Sequence, residues 1–276
     1  VITAIQKSKH NQVVAIASRD INSANNVAKK LSIAKAYGSY EELFADPEID
    51  AIYNPLPNHL HIPYSVAVIE AGKHLLCEKP LGLDAQDIAP LLTLAEKNPQ
   101  IKVMEAFMYR FHPQWKKTKE MIDADVIGKL RSIQCHFYYN NRDSANIRNR
   151  AEWGGGALLD IGCYPISVAR YLYGREPQRV FAQITPWPGY EVDCLLTGIM
   201  DFTDALASFT VATKIENGQM VLASGEKGSI QINWPFNPEP LDSQTLLLRR
   251  DNKLELMEFD AADQYSEMAD AFELSI

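Results

Sequence analysis

The sequence predicts an α/β chain in two parts. Residues 1–110 would form a parallel sheet wound with helices, and residues 111–276 an α+β domain on a mostly antiparallel, open sheet. Three observations carry this. As far as "KVMEAF" short apolar runs alternate with helical stretches, the pattern of βαβ units. After it the runs are β-rich and follow one another, interrupted by one glycine-rich turn and its helix. The composition shifts between Arg110 and Pro113, with no internal repeat and no low-complexity segment.

In chain order, "VITAIQKSKH" predicts a short helix. "QVVAIAS", Gln12 to Ser18, is an apolar run bounded by polar residues and fits a strand covered on both faces. "NSANNVAKKLSI" predicts a helix capped by Asn22 or Ser23, and "AKAYGS" a short strand or connection. Ser39, with Glu42 three residues on, predicts a capping box before the next helix. "DAIYNPLP" is the next buried strand, and "LHIPYSVAVIEAGK" a helix stopped at Gly72. "HLLCEKP" is a strand, "LDAQDIAPLLTLAEKN" a helix and "KVMEAF" a strand. In the second part "LRSIQCHFYYN" is β-like, and "EWGGGALLDIGCYPISVARYLYG" is a glycine-rich turn opening into a helix. Seven further β-like runs follow, "RVFAQITPW", "DCLLTGIMDF", "ALASFTVAT", "QMVLAS", "GSIQINW", "TLLLRR" and "KLELMEF".

A chain of 276 residues suffices for two ordinary domains. Net charge is −8, which argues against a nucleic-acid partner, whose binding surfaces are usually basic. No run approaches the roughly 20 apolar residues of a membrane helix, so no membrane association is expected. Cys77, Cys135, Cys163 and Cys194 form no CxxC pair and no zinc spacing; buried free thiols in a reducing, cytoplasmic compartment fit best. The chain opens without Met inside a helical pattern and closes in another, as expected of a fragment trimmed at both ends.

Ligands of parallel α/β sheets sit outside the carboxyl ends of the strands. That rim carries Ser18-Arg19-Asp20, Asn54-Pro55, Glu78-Lys79 and Glu105. In a dinucleotide-binding (Rossmann) fold, an acidic residue at the second strand's tip holds both ribose hydroxyls of NAD, whereas an arginine there favours the phosphate of NADP. Ser18 and Arg19 can bond a phosphate; the plainer reading is a solvated loop with Asp20 as a helix cap. The GxGxxG loop of such folds is absent and would precede Val1, with residues 1–9 as the remainder of its helix. Pro80 biases Lys79 toward extended backbone and away from the next helix.

Asp160 and Tyr164 are four apart in "LLDIGCYPISV", on one face of a helix near its N-terminus. A free phenol, with a pKa near ~10, is a poor base at neutral pH. A nearby ammonium would lower that value. The plainer reading is a buried tyrosine with its hydroxyl satisfied by Asp160.

"YNPLPNHLHIPYSVAVIEAGKH", "AGKHLLCEKPLGLD" and "GGGALLDIGCYPI" together resemble the Gfo/Idh/MocA oxidoreductases. EKP after a strand, PNxxH at Pro57 to His61 and DxGxY at Asp160 to Tyr164, in that order, carry the resemblance through nearly the whole chain. It implies a Rossmann domain for NAD or NADP, and an α+β domain for substrate binding and homo-oligomerisation through its open sheet. Lys79 is then catalytic. Where many members end the second motif in His, this chain has Tyr164, which places it nearer the dihydrodiol and xylose dehydrogenases and implies a sugar or cyclic trans-diol substrate. Tyr164 would exchange the hydroxyl proton, assisted by Lys79, with Asp160 positioning Lys79 or the substrate. Asn54, Pro55, Pro57, Asn58 and His61 would frame the nicotinamide half, Glu78 its ribose, and Ser18 and Arg19 the extra phosphate of NADP. Arg110 would reach cofactor or substrate, or else make an interdomain ion pair. Tyr139, Arg148 and Trp153, with Asn140 and Asn146, would line a sugar pocket, although each could equally be a surface loop residue. An NAD-assisted glycosidase and a non-catalytic nucleotide-binding fragment are the other readings.

Overall fold

The computed structural model describes residues 1–8 and 10–276, in two compact units. The first comprises Val1–Met108 with Gln264–Ile276, the second Tyr109–Asp263. The C-terminal helix therefore belongs with the first unit rather than with residues 111–263. Ser8 and the amide of Asn11 both bond the carboxylate of Asp270, which ties that helix to the chain's start.

The first unit runs α1 (Ile2–Ile5), β1 (Ala15–Ala17), α2 (Ile21–Leu31), β2 (Lys35–Tyr37), α3 (Tyr40–Ala45), β3 (Ala51–Asn54), α4 (His61–Glu70), β4 (His74–Cys77), α5 (Ala85–Lys97) and β5 (Val103–Glu105). The helix predicted at the start closes at Ile5, and Lys9 lies outside the described residues. β1 pairs in parallel with β2, and β3, β4 and β5 form a second parallel sheet. Every ladder in this unit is parallel, as expected of a Rossmann-type sheet. One core serves both sets of strands: Ile52, Ile62, Val68, Leu75, Cys77 and Leu91 are buried, with Val14, Ala15 and Tyr37 packed on them.

Helix ends follow local chemistry. Asp20, not Asn22 or Ser23, caps α2, because its carboxylate accepts the amides of both. Ser39 caps α3 as predicted, while Glu42 reaches back to the amide of Gly38 rather than Ser39. Gly72, at φ +75°, follows α4 in the left-handed conformation that stops it.

The second unit runs α6 (Pro113–Asp123), β6 (Leu130–Asn140), a π turn (Leu158–Gly162), α7 (Cys163–Tyr173), β7 (Arg179–Thr185), β8 (Leu195–Asp201), β9 (Leu206–Ala212), β10 (Lys214–Gly225), β11 (Gly228–Ile232), β12 (Gln244–Arg250) and β13 (Lys253–Phe259). α8 (Gln264–Glu273) returns to the first unit. All eight strands join one sheet, in the order β13-β12-β11-β10-β6-β9-β8-β7, antiparallel except for the parallel β6–β9 pair. α6 and α7 pack on one face. Toward it point Leu196, Gly198 and Met200 of β8, all buried, while Thr197 and Ile199 between them are exposed. The other face is open. One register row crosses it through Phe181, Ile199, Ser208, Gln134, Leu222, Gln231, Leu247 and Leu256.

Candidate active site

In the first unit, Ser18, Asn54 and Glu78 each stand one residue past a strand end or on it, so the rim residues emerge at the carboxyl ends of parallel strands. At the β1 tip the roles divide. Asp20 accepts the amides of Asn22 and Ser23 and the Ser23 hydroxyl at 2.7 Å. Those bonds hold its carboxyl below the usual range. The guanidinium of Arg19 is exposed and has no side-chain partner among the described residues. A carboxylate spent on a cap and a free cation beside Ser18 fit a phosphate-bearing ribose better than a bare diol.

Asn54 and His61 are buried, and their side chains bond to the protein itself. The Asn54 amide donates to the His61 carbonyl at 3.1 Å and to Ser65 Oγ at 3.2 Å, while its oxygen accepts the Leu56 amide. The His61 ring nitrogens lie 2.7 Å from the Pro80 carbonyl and 2.6 Å from that of Leu56. These two residues shape the 55–61 and 80–81 loops. Pro55 is exposed on that segment, with Pro57 and Asn58 half-buried.

Lys79 is half-buried and joined to Pro80 by a cis peptide bond. Tyr53 donates to Glu78 Oε1 at 2.5 Å, and the Lys79 amide donates to Oε2 of the same carboxylate at 3.2 Å. Burial, then the Glu78 charge, push the Tyr53 phenol well above its ordinary range. Glu105 accepts the Leu81 amide at 2.8 Å, so β5 steadies the turn after Lys79. Tyr53 was not foreseen: its partner is 25 residues away on the next strand, and no local pattern marks it.

In the second unit Asp160 draws three predicted residues together. Its Oδ2 accepts the Tyr139 hydroxyl at 2.6 Å and its Oδ1 the Arg148 Nε at 3.1 Å. The Asp160 charge pushes the Arg148 guanidinium further up. Asp160 lies in the π turn rather than in a regular α-helix, and Tyr164 in the first turn of α7. The Tyr164 ring is buried among aromatic neighbours, with centroids 5.0 Å from Phe236, 5.5 Å from Phe137 and 6.0 Å from Tyr109. Trp115, whose indole donates to the Pro235 carbonyl at 2.6 Å, stacks on Phe236 and backs this cluster.

Arg110 is held inside the second unit. Its Nη2 donates to Ser167 Oγ at 2.8 Å and its guanidinium lies 5.1 Å over the Tyr171 ring. Trp153 is half-buried under the guanidinium of Arg150, 5.3 Å from the ring centroid. Asp193 is a contributor that sequence reasoning missed. It accepts the Leu158 amide at 2.7 Å while its carbonyl takes that of Ala157, so it fastens the start of the π turn. Cys163 is half-exposed, contrary to the expectation of four buried thiols; Cys77, Cys135 and Cys194 are buried. Among the described residues no helix is long and apolar enough to cross a membrane.

Comparison with known proteins agrees with this architecture. Residues 1–107 match the oxidoreductase family with an NAD-binding Rossmann fold, and residues 115–231 the GFO/IDH/MocA C-terminal domain. The NADP(+)-dependent D-xylose 1-dehydrogenase 2 of Haloferax volcanii is 37% identical over 99% of this chain and 83% of its own. The trans-1,2-dihydrobenzene-1,2-diol dehydrogenase of Mus musculus is 31% identical over 87% of this chain and 72% of its own. The 3-ketoreductase of Actinomadura kijaniata, solved with NADP and TDP-benzene, superposes with a TM-score of 0.91 at 28% identity, covering 100% of this chain and 84% of that one. With both halves matched in order along a chain that bears the EKP and DxGxY residues on the elements described, the protein belongs to the Gfo/Idh/MocA family of oxidoreductases.

Proposed function

We propose that this protein is an NADP-dependent oxidoreductase acting on a hydroxyl or carbonyl of a sugar or cyclic trans-diol. The observation that carries the reading is the Asp160 constellation. A buried carboxylate binds Tyr139 and Arg148 at the start of the helix that seats Tyr164. Such a set of hydrogen bonders suits a polyol. The dehydrogenase and ketoreductase relatives support the reaction class, and NADP in the xylose dehydrogenase's name and in the ketoreductase's complex supports the cofactor.

Each residue then has a task. Tyr164 takes the hydroxyl proton in oxidation and returns it in reduction. Its ring is clamped by Phe236, Phe137 and Tyr109, so the phenol oxygen is presented from a fixed position. Lys79 supplies a positive charge and a hydrogen bond to the reacting oxygen. Asp160 orients Tyr139 and Arg148 toward the substrate hydroxyls, with Trp153 as an aromatic wall. Arg19 and Ser18 bind the 2′-phosphate, Glu78 the nicotinamide ribose, and Pro55, Pro57 and Asn58 border the nicotinamide on the loop that Asn54 and His61 shape. Arg110 steadies the Tyr109–Ser167 corner behind Tyr164. The nicotinamide, when bound, supplies the hydride chemistry.

Residues 1–108 serve as the dinucleotide-binding domain and those from 109 to 263 bind substrate. The open sheet face, where Phe181, Ile199 and Leu256 are 64%, 42% and 54% exposed, pairs with a second copy of the chain. NADPH absorbance measured against aldoses and cyclic trans-diols tests the function. Turnover is expected, and Tyr164→Phe should lower kcat ~10²-fold while NADP binding stays nearly unchanged. Full turnover by the variant overturns the acid–base role. Sugar release without net redox would identify a glycosidase, and silence across the panel a non-catalytic protein.

A further inference from the structure

We propose that Lys214, at the start of β10 and outside the catalytic constellation, is a positioning residue: its buried ammonium fastens the segment 141–156 so that Arg148 meets Asp160. The inference rests on the reading of Tyr139, Arg148 and Asp160 as substrate-binding residues.

Lys214 is 1% exposed. Among the described residues it has no carboxylate partner, and its three N–H donors are otherwise accounted for. One reaches the Asn141 carbonyl at 2.6 Å, one the Asn149 Oδ1 at 2.5 Å, and the ammonium stands 4.1 Å from the centroid of the Tyr190 ring. Burial lowers its pKa, as expected where no anion offsets the lost hydration. An ammonium without a counter-ion is a costly thing to bury, and a hydrophobe of the same length would serve a β-sheet core better. What the charge adds is hold on a loop.

The loop in question leaves β6 at Asn140, directly opposite Lys214 in the ladder. Asn149 spends its amide on the Asn141 and Asp143 carbonyls, closing 141–149 into a ring around the ammonium. Tyr190 closes the other side by donating to the Arg142 carbonyl at 3.0 Å. The residue before Asn149 is Arg148, whose Nε holds Asp160 and whose carbonyl accepts the Gly156 amide. One buried cation thus organises the turn from which Arg148 reaches the carboxylate.

The test is Lys214→Met, which keeps the length and removes the donors. A merely structural lysine would leave kinetics unchanged, since replacing a buried ion by a hydrophobe is often neutral for the fold. The tether predicts a KM for the sugar or diol raised at least about tenfold, with kcat changed far less and NADP affinity unaltered, because preorganisation is what is lost. It also predicts cleavage by trypsin after Arg142, Arg148 or Arg150 at least about tenfold faster than in the wild type, with circular dichroism unchanged, as local opening exposes the loop. KM and cleavage both within about twofold of wild type in a folded variant overturn the proposal. If Lys214→Met does not fold, Asn149→Ala decides. It leaves the lysine its Asn141 carbonyl and Tyr190 ring, and must reproduce both effects; wild-type behaviour overturns the proposal. Should no substrate be turned over, the functional reading fails, and the trypsin arm still decides the tether.

Discussion

Arg19 and Asp20 are neighbours with opposite employment. Asp20 is consumed by the helix it caps, and the exposed guanidinium of Arg19 has no side-chain partner among the described residues. Arg19→Ala should therefore weaken NADP by about tenfold to a hundredfold, the worth of a lost charge-assisted bond, and leave NAD almost unaffected. Fluorescence titration with the two cofactors checks it, and equal weakening of both refutes the phosphate role. This division was half legible, since Ser18-Arg19 at a strand tip reads as a phosphate site while the capping preference of Asp20 competes with Asn22 and Ser23 until the backbone is known. The place of Lys79, just past a strand and before a proline, was legible because the three are adjacent in the chain. The Tyr53 bond to Glu78 was not, for it joins two strands whose pairing is decided by the shared core.

At the scale of elements, the segment 154–164 read as a glycine turn and a helix, and the structure inserts a π turn between them. Such turns are uncommon and gather at functional sites. Gly156 makes this one possible. It sits at φ +117°, and a Cβ there would fall 2.0 Å from the Asp193 Oδ1. Gly156→Ala should cost about 1–3 kcal/mol, the range for forced backbone strain, and displace the carboxylate that holds the Leu158 amide. A urea midpoint unchanged by the substitution would show that the backbone adapts without strain. The glycine run announced a tight approach but not its object. Asp193 stands 37 residues further along the chain than Gly156, at the head of the β-like run "DCLLTGIMDF", where nothing local marks it as the partner of a glycine.

At the scale of the molecule, the eight-stranded sheet of the second unit covers one face with helices and leaves on the other a row whose ends, Phe181 and Ile199 at one side and Leu247 and Leu256 at the other, are apolar. A protein surface that exposes such a row has reason to be covered. Placing Glu at Ile199 and at Leu256 should weaken self-association at least about tenfold without unfolding the sheet, because charges in the centre of an interface are left unpaired. Sedimentation velocity reads the outcome, and an unchanged mass distribution would overturn the pairing proposed for this face. The sequence by itself determined the alternation of strands and helices, the strand-rich second part and the motifs that mark the family. These are short-range signals, written in periodicity, caps and breakers over a few residues. Only the tertiary structure decided that the last helix returns to the first unit, that the side chains of Asn54 and His61 bond the 55–61 and 80–81 loops, and that Lys214 is buried under a turn. Each of these depends on pairing between segments far apart in the chain, which burial of apolar surface selects and no local pattern encodes.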